Sequence, residues 1–233
     1  IEFGTDALGG VVVVNPAPLP ETPGITGTLA SVLQSNGRSG TLSGMLEGGI
    51  KNHDGLGWRV QGTAKRAGDF HTPDYVLTNT GIEELNVSAA AGYHTRTAGI
   101  DLFYSRFQSE NGILRGTAIS SLDDLVNAME RDEPLYTSDF SYRIQEPRQF
   151  VSHNLLKING HISGGSGEWR IQYAFQNNNR QEYDLRIGNL SRIPAIDLKL
   201  NTHTVDAEWE THHSESRTFS IGANGMYQSN RNV

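Results

Sequence analysis

The stretch Trp58-Arg59-Val60-Gln61-Gly62-Thr63-Ala64-Lys65 sets the pattern that recurs along the chain. Successive side chains of an extended strand point to opposite sides. Trp58, Val60, Gly62 and Ala64 therefore share one face, and Arg59, Gln61, Thr63 and Lys65 share the other. Two architectures use this alternation. A soluble sheet turns its apolar face to a core. A membrane barrel turns it to lipid and keeps polar residues inside.

Read in order, the alternation predicts about nine strands joined as hairpins. Ile25–Gln34 and Thr41–Ile50 flank Ser35-Asn36-Gly37-Arg38, whose Asn-Gly pair is a strong hairpin signal. Lys51–Gly57 turns the chain into Trp58–Ala67, and the longer connection Asp69–Gly81 leads to Leu85–His94. Arg96–Gly99 turns again, into Ile100–Phe107. The longest connection, 108–146, contains a predicted helix over Ser120–Arg131. There Ser121 and Asp124 resemble a capping box, and Leu122, Leu125, Val126 and Met129 form one apolar stripe, expected to pack on neighbouring loops. Phe150–Ser163 and the alternation Trp169, Ile171, Tyr173, Phe175 flank the turn Gly164–Glu168. After the loop Asp184–Pro194 comes Ile196–Glu210, whose apolar phase slips from even (Ile196, Leu198, Leu200) to odd (Val205, Ala207, Trp209). A one-residue bulge near Thr202–Thr204 would restore the facing. Phe219, Ile221, Ala223, Gly225 and Tyr227 close the series.

Short and long connections alternate along this series after the first hairpin. Trp58, Tyr93, Trp169, Trp209 and Phe219 all fall within a few residues of a short turn. Short turns at one end, long loops at the other and aromatic residues near the ends are features of outer-membrane barrels.

Composition agrees with a sheet that has one wet face: apolar residues make up 36% and there are 26 glycines. No run approaches the roughly 20 apolar residues of a membrane helix. Cysteine is absent, which excludes disulfides and thiolate metal sites. The net charge of −7 argues against nucleic acid as a partner.

Residues 1–20 read differently. Val11-Val12-Val13-Val14 is a continuous β-branched run, and Pro16, Pro18, Pro20 and Pro23 make an extended linker. Phe3-Gly4-Thr5-Asp6-Ala7-Leu8-Gly9-Gly10-Val11-Val12 resembles the end of the plug domain of TonB-dependent outer-membrane receptors. That family carries Tyr-Gly-(Ser/Thr)-x-Ala-(Leu/Ile)-Gly-Gly-Val-(Ile/Val) there, with Phe3 standing here for the usual Tyr. Gly4, Ala7, Leu8, Gly9 and Gly10 carry the match. Pro194–Leu200 running into Thr204–Trp209, and Gly225–Gln228, resemble barrel segments of Bacteroidetes-type members.

The resemblance implies an all-β fold: an antiparallel up-and-down transmembrane β-barrel, here partial, an open curved sheet of about nine strands. A plug remnant precedes it, and a short helix lies in an extracellular loop. Residues 1–20 would be the end of the plug and its linker, and residues 21–233 the first part of the barrel. The chain then reads as an internal fragment of a longer receptor. Whole receptors of this kind form barrels of about 22 strands around a plug. The implied function is active import of a scarce ligand, most often a ferric siderophore, across the Gram-negative outer membrane. The implied partners are outer-membrane lipid, the small-molecule ligand, and the TonB complex acting through a preceding N-terminal part. The short turns would face the periplasm and the long loops the outside.

Within that reading His71, Tyr75, Tyr136 and Tyr142, in long loops, are the candidate ligand-binding residues. His203 with Asp206, Glu208 and Glu210 is a weaker metal candidate. Its three acids share one face at period two, and the favoured reading is a polar inner wall. No enzyme signature stands out, and no cofactor is called for. Two rivals remain: a soluble β-sheet carbohydrate-binding or adhesion module, with Trp58, Tyr173 and Trp209 in a closed core, and a secreted hydrolase using the acids near Trp209.

Overall fold

A computed structural model describes residues 16–114, 121–134, 136–165, 167–186, 188–214 and 217–232. The glycine-flanked motif at Gly4, Ala7, Leu8, Gly9 and Gly10 lies outside the described residues, as does Val11–Val14.

Alternation along the chain becomes one nine-stranded antiparallel sheet. Its strands are β1 (Gly24–Gln34), β2 (Ser39–Gly49), β3 (Leu56–Ala67), β6 (Ile82–His94), β7 (Ala98–Gly112), β8 (Arg148–Gly164), β9 (Gly167–Tyr183), β10 (Ile196–Ser214) and β11 (Arg217–Asn232). They pair in sequence order, each with its predecessor and successor, so the sheet is a simple meander. The sheet is open, with β1 and β11 as its edges. Strands β7, β9 and β11 run several residues beyond the bounds that the apolar alternation predicts, because their ends away from the short turns are polar on the face where the alternation was read.

The first hairpin turns through a short 3-10 segment, Asn36–Arg38. Gly37 there has φ 72°, a conformation open to glycine, and the Phe70 ring packs where a Cβ would point. The connection after β3 holds a two-residue hairpin of its own, β4 (Phe70–His71) paired with β5 (Val76–Leu77). A 3-10 turn, Gly188–Arg192, lies in the connection before β10. Helix α1 spans Leu122–Met129, and the Ser121 Oγ accepts from the Asp124 N–H at 3.1 Å, as the capping pattern predicts. Its apolar stripe is not packed on neighbouring loops: Leu122 is 74% exposed and Met129 79%. Local periodicity made the helix, but no described element comes to cover it.

One expectation about β10 fails. Its register against β9 runs unbroken from Ile196 to Glu210, so there is no bulge at Thr202–Thr204. The shift in β10 occurs later, at His212–Ser214, against β11. Ile196, Leu198 and Leu200 stand on one face of the sheet and Val205, Ala207 and Trp209 on the other. The strand stays straight and its surroundings change along its length.

Candidate functional site: two faces of one sheet

Cross-strand pairing assigns every strand residue to a face. One face carries Ile25, Leu29 and Leu33 of β1, Leu42 and Leu46 of β2, and Trp58 and Val60 of β3. Across β6 to β11 the same face continues through Leu85, Val87, Tyr93, Ile100, Leu102, Ile158, Ile162, Trp169, Ile171, Val205, Trp209, Phe219 and Ile221. Among the described residues no second layer covers it. Leu85 is 56% exposed, Val87 44%, Trp169 50% and Ile171 54%. Among the described residues the buried apolar side chains are Ala67 and Ala174. An apolar face of this breadth far exceeds the patches that monomers in water leave uncovered.

The apolar band is inclined to the hydrogen-bonding rows. One row runs Leu42, Ala64, Leu85, Gln108, Ser152, Asn179, Lys199, Arg231. It is apolar on β2 to β6 and polar from β7 onward. Another runs from Ile25 through Gly48, Trp58, Ala91, Leu102, Ile158, Tyr173 and Val205 to Gly225. Ile25 is the lowest apolar side chain of the band on β1, whereas on β11 the band continues about six residues below Gly225, to Phe219. That stagger is about 20 Å along the strands over roughly 38 Å of sheet, an inclination of about 30°. On β6 the band runs from Leu85 to Tyr93, about 27 Å along the strand and about 24 Å after correction for the inclination. Transmembrane barrels have strands tilted by about 35–45° and an apolar band about 25 Å tall.

Aromatic residues mark both margins of the band. At the short-turn margin Trp169 and Trp209 are direct cross-strand partners, ring centroids 6.3 Å apart, and Phe219 lies 6.3 Å from Trp209. Near the other margin the His203 ring lies 4.8 Å from Phe175 and 6.2 Å from Tyr227, and its Nδ1 is 2.9 Å from the Tyr173 hydroxyl. Immediately above that margin a polar chain begins. The Tyr104 hydroxyl donates to Asn154 Oδ1 at 3.1 Å, Asn154 Nδ2 to Asn177 Oδ1 at 3.3 Å, and Asn177 Nδ2 to Asn201 Oδ1 at 2.7 Å.

The opposite face is polar at the level of the band. Arg59 pairs with Glu47, the Ser43 and Thr63 hydroxyls meet at 2.9 Å, and Arg170 lies 3.2 Å from Glu210 and 3.8 Å from Glu208. A hollow of about 1100 Å³ opens on this face, its polar lining including Asn159, His161, Glu168, Arg170, Asp206 and Glu208. The three acids of β10 therefore join a charged wall with a cation among them. His203 is on the apolar face, away from them, and the proposed metal set does not converge. Among the described residues no group of three or more His, Asp or Glu could hold a metal ion. Above the band the faces exchange character: Leu198 and Leu200 stand on the face that is charged lower down, while Lys199 and Asn201 stand on the face that carries the apolar band.

The four loop candidates all lie at the long-loop end, each held by partners outside the set. The His71 backbone N–H donates to Asn36 Oδ1 at 2.9 Å, and its carbonyl accepts from Asn36 Nδ2 at 3.1 Å. The Tyr136 carbonyl accepts from the Thr78 hydroxyl at 3.3 Å, and Tyr75 closes the β4–β5 turn, its carbonyl accepting from the Thr72 N–H at 3.0 Å. Tyr142 donates its hydroxyl to the Arg38 carbonyl at 2.7 Å and packs edge-on against Phe140. That hydroxyl serves loop packing.

The residues that lock these loops were not visible in the sequence. Asp69 is 2% exposed, and its carboxylate accepts from the Thr80 N–H at 3.0 Å and the Ser141 N–H at 3.1 Å. Asn79 donates to the Ile113 and Pro147 carbonyls and accepts from the Gln145 N–H. Residues 136–147 thus strap over the tips of the two preceding hairpins. Each bond spans many residues, so no local spacing announces it.

Compared with known proteins, the chain matches no family model and no curated protein. Among the described residues no helix is long and apolar enough to cross a membrane, which says nothing of strands that cross.

Proposed function

We propose that this chain is the barrel-forming part of a TonB-dependent outer-membrane receptor, with the apolar face against lipid and the charged face lining the interior. The uncovered apolar band supports this most strongly. It is continuous over nine strands and stepped relative to their register. A band held level by a bilayer must step across tilted strands, whereas a core between two stacked layers would cover these side chains. Aromatic margins and the sorting of short turns and long loops add to the reading. The likeness of Phe3–Val12 to the end of a plug supplies the family.

In this reading the chain works with outer-membrane lipid, a TonB complex and a scarce small ligand, with a ferric siderophore proposed as the cargo on family frequency. The strapped loops bearing His71, Tyr75, Tyr136 and Tyr142 then sit at the outer mouth. The soluble-module alternative needs Trp58, Tyr173 and Trp209 in a closed core, and the 50% exposure of Trp169 beside Trp209 weighs against it.

Two measurements test the proposal. The chain should sediment with outer membranes and require detergent for a monodisperse state; a monodisperse, cooperatively melting sample in plain buffer refutes the membrane assignment. Deleting the gene should abolish uptake of a labelled ferric siderophore; unchanged uptake across a panel of siderophores refutes the cargo.

A further inference from the structure

The described chain begins at Pro16 and reaches β1 by crossing the polar face at the short-turn end. Three independent features of the sheet fit that segment. First, the Arg59 guanidinium donates through Nη1 to the Ala17 carbonyl and through Nη2 to the Pro18 carbonyl, both at 3.0 Å, while its Nε donates to Glu47 at 2.7 Å. Prolines 16, 18 and 20 carry no N–H, so the segment offers acceptors and few donors. A guanidinium, donor-only and forked, is complementary to that backbone.

Second, Gly49, Gly57 and Gly92 are cross-strand neighbours in one row, and the segment lies directly on them. A Cβ at Gly57 would stand 2.6 Å from the Pro20 carbonyl oxygen and 2.9 Å from Leu19 Cβ. One at Gly49 would stand 2.5 Å from the Thr22 carbonyl oxygen, and one at Gly92 3.1 Å from Leu19 Cδ1. Third, the His94 ring joins the far end of the segment to the sheet: Nδ1 lies 3.0 Å from Glu21 and Nε2 3.1 Å from Asp101.

We infer that Arg59, His94 and the row Gly49–Gly57–Gly92 form a built seat that moors Ala17–Thr22 to the polar face. The segment is thereby tethered to the sheet before it reaches β1. Arg59 and His94 are positioning residues for the segment. The inference rests on the sheet and its own linker, and it stands apart from the lipid assignment and the cargo.

The chain has no cysteine, so single cysteines report cleanly. In the full chain in detergent, Leu19→Cys should react with a maleimide at least about fivefold more slowly than Thr22→Cys, because Leu19 is half-buried and Thr22 exposed. The pair Arg59→Met and His94→Gln should abolish that difference. In the same double background Ser43→Cys with Thr63→Cys, whose parent hydroxyls meet at 2.9 Å, should still form a disulfide, reporting intact β2–β3 pairing. An unchanged Leu19→Cys rate in the double variant overturns the mooring. Loss of the control disulfide also overturns it, because the two side chains would then be holding the sheet rather than the segment.

Discussion

Trp169 and Trp209 face each other across β9 and β10 on the apolar side of the sheet, at the margin nearest the short turns. The third tryptophan, Trp58, occupies the same face on β3. An indole has an apolar body and a polar N–H, which suits the boundary between acyl chains and headgroups. In lipid vesicles all three should be quenched by brominated lipids, most strongly by bromines placed near the headgroup. Acrylamide in the aqueous phase should quench them weakly. The reverse ranking would put the tryptophans in a water-filled interior.

Ile171 and Gln172 are adjacent on β9 and lie on opposite faces. Ile171→Arg places a charge in the apolar band and should cost about 2–4 kcal/mol of stability in lipid. Gln172→Arg, on the wall with Asp206 and Glu208, should change stability by less than about 0.5 kcal/mol. Denaturant unfolding in vesicles measures both. Equal costs would remove the distinction between the faces.

The strap over the long-loop end depends on a buried carboxylate. Asp69→Ala would leave the Thr80 and Ser141 N–H groups without their acceptor. The expected penalty is about 1–3 kcal/mol, confined to the loops. Limited proteolysis within 136–147 should accelerate while the sheet stays protected. Unchanged cleavage would mean that the strap is held elsewhere.

His94 makes the mooring of the linker sensitive to pH. Both ring nitrogens face carboxylates, Glu21 and Asp101, and both donate only when the imidazole is protonated. His161 stacks on it at 5.9 Å and opposes that charge when it is itself protonated. The contact should hold between the ordinary carboxylate and imidazole ranges and loosen as pH rises through the latter. Leu19→Cys labelling, corrected for the thiolate fraction with Thr22→Cys, should therefore speed up from pH 5.5 to about 8. His94→Gln should flatten the profile. A slope that survives His94→Gln assigns the pH response to another group.

The nine strands, their order of short and long connections, and the apolar character of one face were legible in the sequence, because each follows from a period of two and from turn residues close to it. Ser121 and Asp124 likewise announced the start of α1 through a local hydrogen bond. Tertiary structure alone decided how neighbouring strands register. That register inclined the apolar band to the rows and left β10 straight where its phase slip suggested a bulge. It also brought Asp69 to Ser141 and laid Leu19 on Gly57. These relations join residues far apart in the chain, and their energy exists only once the strands are paired.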